Sequence, residues 1–450
     1  MTRNHSESSE SERMETLAAA TSVTERQSSL RRGQRPPTSI HDVPDSLLEL
    51  ILLRVRTPAC LFRAAATCKP WRRLIASAGF LPRFRSLHHG PRHLLLGHYC
   101  VNAMVMEYGI PRLHAEFLPS PPWPSTNNLP QRLSLDFLHE RALLTDSRRG
   151  LLAFVRANWY AVVCDPWTRE YREIRFPWGD ASRELTYHCI GAFLLDAGDD
   201  DGGGGGSLMS SFRVLCACLV MEYVDDRIEA HACVFSARHN RWLPPSVCRN
   251  VGRGHWTGVV SLDPLEIYKR IMGRAGGSIF WYGVYGHVLA IDEVTGAFST
   301  IWLPGAPEND MYCRVHPGCV RENVSRSLRV VGGGGGAVRI VRVVDDELEV
   351  IRRDGHGGWE WTVERRVGLC QLANIGFRPD LSWRFLDLDT AMASAAEELV
   401  LKASSFSTTV VLFSLDVETM KLQPVDMALS AERVFPYELP WRRQTISACV

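Results

Sequence analysis

The residues that could carry chemistry in this 450-residue chain are two glycine runs, a group of histidines and several acids in turns. Gly202–Gly206 and Gly332–Gly336 lack the following Lys and Ser/Thr that a phosphate-binding loop needs. Four histidines between residues 88 and 98 have no cysteine pair or third acidic ligand at zinc spacing. No G-x-S-x-G elbow or H-E-x-x-H helix occurs. The sequence therefore predicts flexible loops here, and no cofactor or metal.

The acids Asp165, Asp292 and Asp416 each follow a short apolar run and open a turn. In a propeller hydrolase or a carbohydrate-active protein, paired acids would line a central funnel. Repetition at one place in each repeat instead favours a structural role, because Asp stabilises tight turns through its own side chain. Cys216 and Cys218 alternate along a predicted strand, so we expect both to pack on one face as small hydrophobic residues.

Composition is that of ordinary globular protein, with 45% hydrophobic and 22% charged residues and room for two or three domains. A net charge of +1 gives no electrostatic reason to expect nucleic-acid binding. Thirteen scattered cysteines, with no C-x-x-C pair, indicate reduced thiols. Neither a signal peptide nor a bilayer-spanning run is visible, so we expect a soluble protein of the cytoplasm or nucleus.

Residues 40–85 predict a module of three helices. Within Pro44–Val55 the apolar residues recur at helical spacing, and a proline in a first turn needs no N–H partner. Thr57-Pro58 and Lys69-Pro70 open two further helices in the same way, and Gly79 ends the last one. A unit of this size cannot bury all its large apolar side chains internally. We therefore expect some of its apolar surface to bind a partner.

These residues resemble the F-box family, whose pattern runs Leu-Pro, then Leu-Leu, Ile-Leu and Arg-Leu, and later Leu, Cys, Trp and Leu-Ile. Val43 and Val55 are conservative departures, and Ala64-Ala65-Ala66 is smaller than the family's usual residues. The resemblance covers about a tenth of the chain. A helical hairpin capping a larger domain is the alternative. The matching positions are Pro44, Leu47, Leu48, Ile51, Leu52, Arg54, Val55, Leu61, Cys68, Trp71, Leu74, Ile75 and Phe80.

The resemblance implies a non-catalytic subunit of an SCF-type ubiquitin ligase. The F-box would bind a Skp-family adaptor and, through it, a cullin–RING core that performs ligation. Leu48 and Trp71 are expected to contribute most to adaptor binding. Alternatives are a propeller enzyme or carbohydrate-binding protein with a helical cap, and an F-box protein acting outside ubiquitin ligation. The implied adaptor-binding residues are Pro44, Leu47, Leu48, Ile51, Leu52, Val55, Leu61, Cys68, Trp71, Leu74 and Ile75.

The remainder divides into a polar tail, residues 1–39, with the composition of disorder, and a β-rich domain, residues 90–450. One pattern recurs along this domain: an apolar strand, a turn, and a second strand that ends near a proline. Its clear copies are Ala161–Pro177, Ala232–Pro245, Val288–Pro304 and Val410–Pro424. Val338–Trp361 is a looser copy, and another ends at Leu118-Pro119. The sequence therefore predicts an α+β protein whose main part is a Kelch-like β-propeller of about six antiparallel blades. An open array of β-sandwiches would leave its edges exposed.

Plant F-box proteins with propeller-like associated domains resemble this arrangement, in which the β domain would bind the protein target. Most tryptophans are expected in the core between blades. Trp123 and Trp178 lie in proline- or glycine-rich turns, and they are the candidate target-binding residues because exposed aromatic side chains on a rigid scaffold make good anchors.

Overall fold

The structure is a computed structural model of the whole chain. It describes residues 43–440 except 56–57, 78, 89–92, 103–104, 108–109, 113–114, 120–128, 139–141, 157–159, 179–184, 197–206, 223–226, 254–270, 283–286, 303–327, 333–336, 345, 354–360, 376–380, 386, 389–397, 406–409 and 426–430. The predicted tail, residues 1–39, lies outside this set. Two compact units are present, Met1–Gly90 with Ile446–Val450, and Pro91–Thr445.

The first unit is helical where it is described. Pro44 is the N-cap of the first helix, and Pro70 lies in the first turn of the third. Three helices were predicted, with Gly79 as the end, whereas the described part holds a fourth helix directly after that glycine. The four helices are α1 (Asp45–Leu53), α2 (Pro58–Thr67), α3 (Lys69–Ile75) and α4 (Phe80–His88).

The second unit is a six-bladed β-propeller, and its blades are numbered here in chain order. Blade 1 contains β1 (His93–Asn102), β4 (Ala115–Pro119), β23 (Asp387–Leu388) and β27 (Ala431–Pro440), with the small hairpin β2 (Val105–Glu107) and β3 (Ile110–Arg112) between β1 and β4. Blade 2 contains β5 (Ala142–Arg148), β6 (Leu151–Arg156), β7 (Tyr160–Asp165) and β8 (Glu170–Arg175). Blade 3 contains β9 (Leu185–Leu195), β10 (Arg213–Glu222), β11 (Arg227–Ser236), β12 (Arg241–Trp242) and β13 (Ser246–Arg253).

The remaining three blades are four-stranded antiparallel sheets. Blade 4 contains β14 (Ile271–Ala275), β15 (Ser278–Tyr282), β16 (His287–Asp292) and β17 (Phe298–Trp302). Blade 5 contains β18 (Leu328–Gly332), β19 (Val338–Val344), β20 (Glu347–Arg353) and β21 (Thr362–Gly368). Blade 6 contains β22 (Leu381–Phe385), β24 (Glu398–Ser405), β25 (Val410–Asp416) and β26 (Lys421–Val425). Short helices connect strands at α5 (Leu129–Arg132), α6 (Leu208–Ser211) and α7 (Leu369–Leu372).

Each blade contacts the next, so the sheets form a ring. The Ser147 hydroxyl of blade 2 donates to the Pro436 carbonyl of blade 1 at 2.6 Å. The Thr145 hydroxyl donates to the Ala192 carbonyl of blade 3 at 2.7 Å. Apolar clusters join blades 2 and 3, blades 4 and 5, and blades 5 and 6. Radial packing of this kind leaves only short, protected edges, in contrast to the open array.

The ring is closed by the two ends of the β domain. β27 pairs antiparallel with β1 from His93↔Pro440 to Asn102↔Ala431. β27 also pairs in parallel with β23, which follows the first strand of blade 6. The C-terminal strand therefore completes the first blade and ties it to the last one. This confirms the predicted propeller arrangement and the estimate of about six blades.

The predicted hairpin repeats lie at the third and fourth strands of their blades. The copies beginning at Ala161, Ala232, Val288 and Val410 correspond to β7–β8, β11–β12, β16–β17 and β25–β26. The looser copy at Val338–Trp361 was placed one strand too early. In blade 5 those residues hold the second and third strands, and the equivalent hairpin is formed by β20 and β21.

Gly97 in β1 is required by the close approach of β4. A Cβ added at this position would lie within 3 Å of the Leu118 carbonyl, the Phe117 ring and the Pro119 backbone. Two of these three contacts are with backbone, which cannot move aside as a flexible side chain can.

We expect Gly97→Ala to lower the free energy of unfolding by about 2 kcal/mol, through overpacking at the ring-closing blade. Gly332→Ala is the matched control, because a Cβ there has no atom within 4 Å. Urea unfolding of the full chain measures both variants. Equal midpoints for the two variants would contradict the close approach of β1 and β4.

Candidate functional site

Helix α1 carries large apolar side chains on two opposite faces. Leu48, Leu52 and Leu53 are buried, with 4%, 2% and 4% of their surface exposed. Leu47, Leu50 and Ile51 are 53%, 51% and 58% exposed. A surface helix normally has one apolar face and one polar face. The three exposed residues, at spacings i, i+3 and i+4, are called here the α1 stripe.

The buried face of α1 belongs to a core inside the helical unit. α1 contacts α3 and α4, and fully buried side chains from the other helices include Leu61, Ile75 and Phe80. His88 Nε2 lies 2.6 Å from the Leu53 carbonyl, which links the end of α4 to the end of α1. Arg83 of α4 also forms an ion pair with Glu49 of α1 at 2.6 Å. These contacts fix which face of α1 turns inward and leave the α1 stripe outside.

The residues expected to bind an adaptor therefore divide into three groups. Pro44, Leu47 and Ile51 are exposed. Val55, Cys68, Trp71 and Leu74 are partly buried. The structure places Leu48, Leu52, Leu61 and Ile75 in the core of the unit, so substitutions at these four act first on helix packing.

Leu50 is the residue of this surface that sequence reasoning missed. It is 51% exposed and lies one turn from Leu47, but it was outside the predicted apolar face. Its signal was present in the run Leu50-Ile51-Leu52-Leu53, where four consecutive apolar residues cannot all lie on one side of a helix.

The helical unit is strongly basic. Between residues 43 and 88 the sequence has eight Lys and Arg side chains and two acidic ones, a net charge of +6 in a chain whose total is +1. Both acidic residues are already paired, Asp45 with Arg73 at 3.6 Å and Glu49 with Arg83 at 2.6 Å. The basic side chains between residues 43 and 88 therefore outnumber the acidic ones of the same range by six.

The two candidate target-binding tryptophans have different outcomes. Trp123 lies outside the described residues. Trp178 is partly buried against the apolar cluster between blades 2 and 3, with its ring centroid 5.8 Å from that of Phe176. It packs as part of this cluster instead of projecting freely from its turn. Trp281 and Trp383 are buried, as expected for core tryptophans.

The recurring acids of the propeller stabilise turns. Asp292 Oδ1 accepts from the N–H groups of Val294 and Thr295 at 3.1 and 2.7 Å. Burial alone would raise the pKa of this carboxyl, but these hydrogen bonds outweigh it and leave the pKa lowered. Asp416 accepts in the same way from the Thr419 N–H at 3.0 Å, which lowers its pKa.

Asp165 and the cysteines of blade 3 are also structural. Burial raises the pKa of the Asp165 carboxyl, and this effect is larger than the opposite effect of the hydrogen bond that Asp165 accepts from the Trp167 N–H at 2.8 Å. Cys216 and Cys218 are fully buried, and burial raises the pKa of each thiol well above its usual value. A thiol held in its neutral form is a poor nucleophile. The described residues hold no group of three His, Cys, Asp or Glu able to bind a metal ion.

An ion-pair cluster joins blades 2, 3 and 4. Arg148 contacts Asp196 at 2.7 Å and Glu293 at 2.9 Å. Arg274 contacts Glu293 at 3.2 Å and also pairs with Asp146, which is almost completely buried. Each carboxylate faces a guanidinium, so the cluster is suited to holding three blades together.

Comparison with known proteins shows no family. No protein-family model matches the chain, and no curated protein matches it. In the described part of the chain, no helix is long and apolar enough to cross a membrane.

Three solved structures resemble this chain remotely. A chain in the S. cerevisiae structure of dbp5 bound to nup159, gle1, ip6 and adp has 10% identity and a TM-score of 0.28, covering 77% of this chain and 66% of that one. Oligopeptidase B from Leishmania major has 8% identity and a TM-score of 0.32, covering 76% of this chain and 54% of that one. The N-terminal domain of Nup159 has 9% identity and a TM-score of 0.28, covering 77% and 84%. At these scores the likenesses carry no argument about function, and the propeller is established by its own sheet topology.

We expect Arg274→Ala to lower the free energy of unfolding by roughly 3 kcal/mol, because it removes the guanidinium that pairs with the buried Asp146, while Glu293 keeps its ion pair with Arg148. Arg156→Ala is the matched control, since its ion pair with Glu173 is partly exposed and should cost about 1 kcal/mol or less. Urea unfolding compares the two. Similar losses would show that the cluster does not brace the blades.

Glu438 on β27 gives a prediction about pH. Burial raises its pKa from 4.5 to about 7, although the nearby Arg148 acts in the opposite direction. The folded protein therefore holds a proton that the unfolded chain releases, and the associated stability is present at low pH and lost as pH rises through about 7.

We expect Glu438→Gln to raise Tm near pH 8 and to change it little near pH 5, with a gain on the order of 2 kcal/mol at the higher pH. Glu116→Gln, at an exposed position of the same blade, is the control. Thermal unfolding monitored by circular dichroism measures both. A Tm difference that is the same at both pH values would contradict a buried protonated Glu438.

Proposed function

We propose that this chain is the substrate-receptor subunit of an SCF-type ubiquitin ligase of the plant F-box kind. The helical unit binds a Skp-family adaptor, and the propeller, Kelch-like in repeat length, binds a protein target. The observation that carries the proposal is the α1 stripe, three large aliphatic side chains each more than half exposed on a helix already packed through its other face. The site of action is then the cytoplasm or nucleus.

Single exposed leucines are common on protein surfaces and need no explanation. The α1 stripe differs because its three members are adjacent on one helix. Burying an apolar side chain of this size from water is worth about 1.5–3 kcal/mol. A helix laid into a hydrophobic groove uses residues at i, i+3 and i+4 as its anchors, which is the spacing of Leu47, Leu50 and Ile51.

The resemblance to the F-box pattern also supports the α1 stripe as the adaptor-binding surface. Pro44, Leu47 and Ile51 belong both to the matched pattern and to the exposed group. The buried members of the pattern, such as Leu61 and Ile75, hold the helices in position. The propeller supplies what a receptor needs in addition, since it is a rigid scaffold whose connecting loops can present a recognition surface.

We expect the double variant Leu47→Ser, Ile51→Ser to weaken binding of a purified Skp-family adaptor by several hundred-fold, since large apolar groups at an interface centre contribute about 2 kcal/mol, or roughly 30-fold, each. Leu87→Ser is the matched control, because this leucine of α4 is 62% exposed and lies outside the α1 stripe. Isothermal titration calorimetry measures affinity.

Circular dichroism must show unchanged helix content in both variants, because loss of folding would also reduce binding. A folded double variant that binds the adaptor as tightly as the wild type would exclude the α1 stripe as the docking surface. Failure of the wild-type chain to bind any Skp-family adaptor would exclude the proposed function.

A further inference from the structure

Positive charge is concentrated in the helical unit. Its net charge of +6 between residues 43 and 88 is offset by −5 over residues 89–450, while residues 1–42 have six acidic and six basic side chains. Such a separation is unexpected for a chain of net charge +1. Charge of one sign around a binding surface steers a partner of the opposite sign and selects it over others.

Arg54 places part of this charge at the end of the α1 stripe. It is the C-cap residue of α1 and is exposed. It follows Leu47 by seven residues, Leu50 by four and Ile51 by three, so it continues the same face of the helix. The two acidic residues between positions 43 and 88, Asp45 and Glu49, pair with Arg73 and Arg83.

A groove that covers Leu50 and Ile51 also reaches Arg54, because Arg54 lies on the same face of the helix one turn further on. Desolvating a guanidinium without a partner is costly, and an apolar groove wall beside it would oppose binding. A carboxylate on the rim would instead form a bidentate, charge-assisted pair with it. The partner surface that receives this end of α1 is therefore expected to carry a carboxylate.

We infer that the partner of the α1 stripe is a protein with an apolar groove whose rim is acidic where it receives the C-terminal end of α1, and that Arg54 pairs with an Asp or Glu there. This inference rests on the proposed function, and it assigns the chemistry of the adaptor surface and a specificity-determining residue. Arg54 makes the interaction directional, because reversing α1 in the groove would remove the guanidinium from the acid.

The test measures binding of a purified Skp-family adaptor to the full chain and to Arg54→Glu, Arg54→Lys and Lys69→Glu, at low and high salt. Lys69→Glu makes the same change in net charge at an exposed position of another helix. We expect Arg54→Glu to weaken binding about 10-fold or more at low salt and clearly less at high salt, because screening reduces the repulsion. Arg54→Lys should retain most of the affinity, and Lys69→Glu should change it by about threefold or less.

Equal effects of Arg54→Glu and Lys69→Glu would overturn the local pairing and indicate only a long-range field. Unchanged affinity of Arg54→Glu would also overturn it. In both cases a weakened Leu47→Ser, Ile51→Ser variant would leave the docking surface and the proposed function standing. If the wild-type chain binds no adaptor, the proposed function and this inference fail together.

Discussion

The antiparallel pairing of β1 with β27 is the constraint on which the β domain depends. Neighbouring blades elsewhere are joined by continuous chain, but this pairing joins residues near 100 to residues near 430. Because the paired segments are more than 300 residues apart, closing the ring has a loop-closure entropy cost that contacts around the whole ring must offset. Tyr99 and Tyr437, both fully buried with ring centroids 5.5 Å apart, pack across this junction. Ring closure thus makes the blades one cooperative structure.

Polar contacts between the blades complement the apolar packing between them. Apolar packing is non-directional and tolerates sliding of one sheet over the next. Directional contacts form in only one register of the blades. Ser147 and Thr145 donate hydrogen bonds to carbonyls of the adjacent blades, and Arg274 pairs with Asp146 two blades away. The buried charges are costly to desolvate, so we attribute to them specificity of blade arrangement more than net stability.

Much of the propeller could be predicted because its hairpins are local. An Asp at the end of the third strand, with a left-handed residue four positions later, marks the turns at Asp292 and Asp416, where Gly296 and Met420 have φ of 70° and 54°. In blade 5 the prediction placed the turn at Asp345-Asp346, but Asp346 lies in the turn before the third strand, β20. Because the prediction took this pair of acids as the turn of the repeat, it placed the repeat in blade 5 one strand too early. The β1–β27 register depends on segments more than 300 residues apart, which no local pattern encodes.

The candidate site shows the same limit on a smaller scale. Helical spacing grouped Leu47 and Leu48 on one broad apolar face, although they are 53% and 4% exposed. A run of apolar residues shows that a helix is able to bury two faces, but only the neighbouring helices decide which is covered. Here His88 and Arg83 of α4 hold the Leu48 side inward through the Leu53 carbonyl and Glu49. Because a unit of four short helices has too little interior for both faces, folding leaves the α1 stripe exposed.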